Sequence, residues 1–227
     1  MGEVIHRRAA RDKIMEDVRT TLTGARARAA AGNGGPWASA ETRLVPVLNL
    51  WDTTLDKAKA ARAELAPLEA AADATNSAVD DGLRGTADTI WNELGRPSND
   101  PYFEILFPGG TGFYVDAPLA DQPLLMEQLA ELLDARLHPR LANAPAHAEA
   151  VRTAAAKLEA AAEAVRKPAT RVAMLDRMLT SIARSAQVEL ASLKRLWKSE
   201  GLSEADIHSV IPDRPRNYGG QAPEPTP

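Results

Sequence analysis

Along most of the chain the apolar positions recur every three or four residues, the spacing of one helical face. Residues 3 to 31 open in this way, with Ile14, Val18, Leu22 and Ala25 in register, and Gly32-Asn33-Gly34-Gly35-Pro36 predicts a turn. A second helical region is expected from about Ser39 to Leu94. Its seam is Leu48, Trp51, Leu55, Ala58 and Leu65, interrupted by Arg62, and then Val79, Leu83, Ala87, Ile90 and Leu94. Pro46 and Pro67 fall inside it, and each predicts a kink or a break, because proline has no amide donor and crowds the preceding turn. Gly82 and Gly85 are a further weak point. Gly95-Arg96-Pro97 is the stop signal.

Residues 101–117 break the helical rhythm. Tyr102-Phe103-Glu104-Ile105-Leu106-Phe107 and Phe113-Tyr114-Val115-Asp116 read as two strands, joined by the five-residue loop Pro108-Gly109-Gly110-Thr111-Gly112. Alternation then puts Phe103, Ile105, Phe107, Phe113 and Val115 on one face of a β-hairpin. Helix is expected to resume at Asp121, with Pro123 in the first turn and the stripe Leu125, Leu129, Leu132 and Leu133. Pro139 and Pro145 punctuate the chain before a long helical region from about Ala146 to Glu200. Its seam, Val172, Leu175, Leu179, Ile182, Ala186, Leu190, Leu193 and Trp197, is the most regular in the sequence. Gly201 closes it, residues 203–206 start a short turn, and residues 212–227, rich in Pro and Gly, are expected to form a flexible tail.

The pattern therefore predicts a mainly α fold: an elongated antiparallel four-helix bundle over residues 1–211, read as one domain, with a β-hairpin inserted at 101–117. Three echoes recur in order and suggest a duplicated helical hairpin, with repeats at 39–100 and 132–206. Arg43–Leu48 resembles Arg136–Leu141, and Leu68–Ala74 resembles Leu158–Ala164. Trp91, Gly95 and Asp100 keep the spacing of Trp197, Gly201 and Asp206.

Composition sharpens this picture. Alanine, the strongest helix former, makes up about a fifth of the 227 residues, while aromatics are only 4%. The net charge of −4 gives no global attraction to nucleic acid or to anionic lipid. With no cysteine, disulfides, thiolate nucleophiles and cysteine-held zinc are excluded. Neither a secretory leader at Met1–Arg8 nor an apolar run of the roughly 18 residues a membrane span requires is legible, so a cytoplasmic place is expected.

Candidate chemistry is sparse. The chain has no Gly-x-Ser-x-Gly, His-Glu-x-x-His, phosphate-loop or dinucleotide motif, and not the two Glu-x-x-His motifs that di-metal bundles use. No catalytic, cofactor-binding or metal-ligating residue is assigned. Gly109-Gly110-Thr111-Gly112 reads as a turn, since no lysine follows it. Glu204 and His208 are four apart and read as a solvated ion pair. His6 and His138 read as surface residues. Glu104 and Asp116 would oppose each other across the hairpin. The basic run Arg166–Lys198 is expected to be a solvated face balanced by Asp73, Asp80, Asp81 and Asp88.

What remains is the aromatic face Phe103, Ile105, Phe107, Phe113 and Val115, the candidate interaction surface. The expected function is that of a non-enzymatic structural or adaptor protein whose partner is itself or another protein, without nucleic acid and without a membrane anchor. Two alternatives stand beside it: a ligand binder or enzyme with a pocket between bundle and hairpin, and a membrane-active protein that inserts the hairpin.

Overall fold

The computed structural model describes residues 10–32 and 34–212. Helix accounts for 81% of them, and none lies in a strand. The elements run α1 (Arg11–Ala30), α2 (Gly34–Glu93), α3 (Pro101–Leu106), α4 (Gly112–Val115), α5 (Gln122–Asp134), α6 (Ala144–Ser199) and α7 (Glu204–His208). The mainly helical class is as the periodicity predicts. His6 and most of the tail at 212–227 lie outside the described residues. None of the described helices is long and apolar enough to cross a membrane.

The β-hairpin at 101–117 is not formed. Asp100 accepts hydrogen bonds from the Tyr102 and Phe103 amides, and Pro101 takes the first helical position, where its missing donor costs nothing. A capped turn satisfies its backbone groups locally, whereas an isolated two-stranded ribbon is marginal in water. Phe103 and Phe107 then meet as an i, i+4 helical pair, with ring centroids 5.1 Å apart. The every-second-residue spacing of Phe103, Ile105 and Phe107 also fits one face of a strand. Glu104 bonds the Gly109 amide at 3.0 Å and Asp116 sits at the end of α4, so no cross-strand carboxylate pair exists.

Of the kink or break expected at Pro46 and Pro67, the break does not occur. The α2 helix is continuous through Pro46 and Pro67, and α6 through Pro168. A mid-helix proline forfeits one backbone bond at a cost of roughly 3 kcal/mol. Leu44 and Leu48 flank Pro46, Leu65 precedes Pro67, and all three are buried, so the helix is retained by its packed face.

The chain divides into two compact units: Met1–Ala60 with Val172–Pro227, and Ala61–Arg171. In the first, Arg19 of α1 pairs with Asp52, and Arg26 with Glu41, so α1 runs antiparallel to the start of α2. Arg43 pairs with Glu189 at 3.0 Å, and the Trp197 indole donates to the Pro36 carbonyl at 2.9 Å, which makes the end of α6 antiparallel to α2 as well. The three segments bury Met15, Val18, Leu44, Trp51, Leu190 and Trp197 among others.

The second unit repeats this logic with α5 as the third helix. Arg171 pairs with Glu64, and His147 with Glu93, so the facing segments of α2 and α6 are antiparallel. Arg152 on α6 reaches Asp134 and Glu127 of α5. Val79, Leu83, Ile90, Leu129, Leu133, Val151 and Leu158 form the common core, and Leu106, Phe107, Tyr114 and Val115 join it from α3 and α4.

Both long helices end alike. The Arg96 amide bonds the Trp91 carbonyl and the Leu202 amide bonds the Trp197 carbonyl, each at 3.0 Å, around Gly95 and Gly201 at φ +80° and +90°. This reversal is the helix-ending motif in which glycine takes the left-handed position. Arg43–Leu48 and Arg136–Leu141, by contrast, lie in a helix interior and in the turn after α5, so that echo has no shared conformation.

Candidate functional site

The most distinctive surface is the α3–α4 segment, and Asp100 fixes it in place. One carboxylate oxygen of Asp100 caps α3 through Tyr102 and Phe103. The other accepts from His138 Nε2 at 3.0 Å and from Arg140 at 3.1 Å. The Arg140 backbone amide donates to His138 Nδ1 at 3.2 Å. Nδ1 is therefore the acceptor, which leaves the ring proton on Nε2 to point at Asp100. The imidazole hydrogen bond, with help from the two backbone amides, holds the Asp100 carboxyl down at about 2 against an ordinary 3.8. His138 is thus a buried structural residue and not the surface residue its sequence context suggests.

Inside the segment, the Tyr114 hydroxyl donates to the Leu106 carbonyl at 2.6 Å, which ties α4 to α3. Burial pushes this hydroxyl up to about 12. Gln122 of α5 donates to the Val115 and Ala117 carbonyls, so the chain leaving α4 is anchored too. Tyr114 also packs edge-on against Phe107 and Phe113.

These bonds sort the expected interaction surface into two sets. Phe107 and Val115 are buried, and Phe103 packs half-buried against the core. Ile105 and Phe113 face outward, 50% and 48% exposed, and Tyr102 joins them at 41%. Helical geometry, not strand alternation, decides which residues point out, and it adds Tyr102 to the surface. Tyr102 rests edge-on against His138, with centroids 5.4 Å apart.

Other polar groups are engaged structurally. Glu204 pairs with Lys198 at 2.7 Å, Lys194 at 3.5 Å and His208 at 3.2 Å. The Lys198 hydrogen bond and the neighbouring ammonium charge pull Glu204 down to about 2. Among the described residues no group of three His, Asp or Glu is placed to hold a metal ion. The second unit carries an open groove of about 570 Å³ between the start of α5 and α6, lined by Leu119, Pro123 and Leu124 and bordered by Glu127, Glu159 and Glu163. Its walls are aliphatic, and no constellation of nucleophile and base lines it. Comparison with protein-family models, with curated proteins and with solved structures finds no match to the chain.

Proposed function

We infer that the chain works through protein contacts, as a non-enzymatic helical scaffold or adaptor that also pairs with its own copies. The observation that carries this reading is the α3–α4 ledge. Tyr102, Ile105 and Phe113 present apolar surface to solvent from a segment whose inner side is fixed by Asp100, Tyr114 and Gln122. Exposed apolar side chains held on a rigid support are what a contact surface needs, since little ordering entropy is lost on binding. The polar side chains around the ledge serve helix caps and backbone carbonyls.

The scaffold itself is read as an antiparallel four-helix bundle grown by duplication. In support, α1–α2–α3 and α5–α6–α7 each follow the order helix, long helix, short helix, and both long helices end in the Trp-to-Gly reversal.

Light scattering on a sizing column, across a wide range of protein concentration, tests the self-pairing. The expected result is a defined oligomer for the natural chain and a monomer for the Ile105→Asp, Phe113→Asp double variant, with equal helicity by circular dichroism. Equal masses for the two proteins would remove the ledge from the contact. A monomer at every concentration would remove self-pairing altogether.

A further inference from the structure

The α6 helix carries an exposed stripe in the first unit that the fold does not use. Met174, Met178 and Val188 are exposed, and so are Arg177, Arg184 and Arg195. At 100° per residue, Met174, Arg177, Met178, Arg184, Val188 and Arg195 fall on one side of the helix, opposite the buried seam. No acidic residue occurs between Asp176 and Glu189. None of the three arginines has an ion pair among the described residues, although Arg11, Arg19, Arg26 and Arg43 of the same unit all do. The sequence-based expectation that this basic run is neutralised by the acidic side of α2 is therefore not met for these three. Methionines and arginines together are the composition of contact surfaces.

The groove of the second unit has the opposite character. Leu124 is 65% exposed and Leu119 39%. Glu127, Glu159 and Glu163 border it; Arg166 pairs with Glu163 at 3.3 Å and Arg152 reaches Glu127 at 3.8 Å, so Glu159 is the one of the three without an arginine partner among the described residues. From Met174 to Val188 the stripe spans about 21 Å, and the α6 wall of the groove from Ala155 to Arg166 about 16 Å, at 1.5 Å per residue.

We propose that the basic, methionine-bearing stripe of one copy docks on the acid-rimmed apolar groove of a second copy. Apolar side chains meet apolar side chains, and the arginines find the carboxylates that their own unit does not supply. The two surfaces are unlike, so the contact is of the head-to-tail kind, which closes into a ring or continues as a filament. The proposal rests on the self-pairing reading above and assigns it a second surface.

The test uses full-length chains in sedimentation at low and high salt. Arg177→Glu with Arg184→Glu, and separately Glu159→Lys with Glu163→Lys, are each expected to weaken self-association at least about tenfold. An equimolar mixture of the two variants is expected to recover most of that loss, because the reversed stripe of one fits the reversed groove of the other. All four positions are exposed, and unchanged circular dichroism and melting show that the variants fold. Association equal to the natural chain in both variants, or failure of the mixture to recover it, overturns the proposal. If the Ile105→Asp, Phe113→Asp chain alone loses association, the ledge reading stands without this contact. If the charge variants alone lose it, the reverse holds.

Discussion

The His138 Nε2–H donates a hydrogen bond to the Asp100 carboxylate at 3.0 Å, and this bond joins the loop before α3 to the turn before α6. Asp100 is the hub, because the same carboxylate caps α3. Its depressed folded value sets the sign of a pH effect. A carboxyl held below its ordinary 3.8 contributes stability that is present above that value and is lost as pH falls toward about 2. Asp100→Ala is expected to lower the melting temperature at pH 7 by about 2–4 °C, the usual effect of a lost cap in a chain of this size. The difference from the natural chain should shrink between pH 4 and pH 2. A gap of constant size down to pH 2 would mean that the carboxylate charge is not what stabilises the cap.

Tyr114 gives the corresponding alkaline prediction. Its hydroxyl donates to the Leu106 carbonyl, and its folded value of about 12 lies above the ordinary 10. Stability from the neutral phenol is therefore complete below pH 10 and lost as pH rises through about 12. Tyr114→Phe is expected to cost about 1 kcal/mol in urea unfolding at pH 7, since a buried carbonyl loses its donor. Above pH 10 the two proteins should converge, because the phenylalanine has no proton to lose.

How much of this was legible depends on whether the signal was periodic or local. Ile14, Val18, Leu22, Val79, Leu83, Ile90, Leu179, Leu190 and Trp197 are buried as their three-and-four spacing demands, since burial of a stripe is what the spacing encodes. Six residues are too few for periodicity to arbitrate, so the α3–α4 segment reads as strand from the sequence. The deciding signal, Asp100 followed by Pro101, is a helix start that the alternating aromatics outweighed. His138 reads as a surface residue from the sequence because its partner stands 38 positions earlier, and no local pattern reports such a pair. Within the expected interaction surface, Ile105 and Phe113 needed only helical geometry to be separated from Phe107 and Val115. The grooves depend on how distant segments pack, which the sequence pattern does not contain.

The glycines test the helix ends directly. Gly95 and Gly201 have positive φ, and an added Cβ at either would meet no atom within 4 Å. Replacement by alanine is therefore a pure backbone effect, expected to cost about 1 kcal/mol at each site. Gly82 is also open around its Cβ position but lies inside α2 with ordinary helical geometry. There alanine is expected to add about 0.5–1 kcal/mol. Chemical denaturation of the three variants decides it, and a uniform sign across them would contradict the assigned helix ends.

The two echoed tryptophans share a backbone motif but not an environment. Trp197 is fully buried, stacks edge-on with Trp37 at 4.7 Å, and donates to the Pro36 carbonyl and the Ser39 hydroxyl. Trp91 is 37% exposed, donates to the Pro97 carbonyl at 3.3 Å, and lies under the Arg96 guanidinium. Removing Trp197 opens a large cavity, so Trp197→Ala is expected to cost about 3–5 kcal/mol. Removing Trp91 forfeits only a partly wet contact and a surface cation–π pair, so Trp91→Ala is expected to cost about 1 kcal/mol. Because Trp197 belongs to the first unit and Trp91 to the second, hydrogen exchange resolves the difference by location. In Trp197→Ala the amides of α1 and of the end of α6 should lose protection first. Equal losses in the two variants would mean that both tryptophans serve only the shared reversal of the chain, and that the burial of Trp197 contributes nothing of its own.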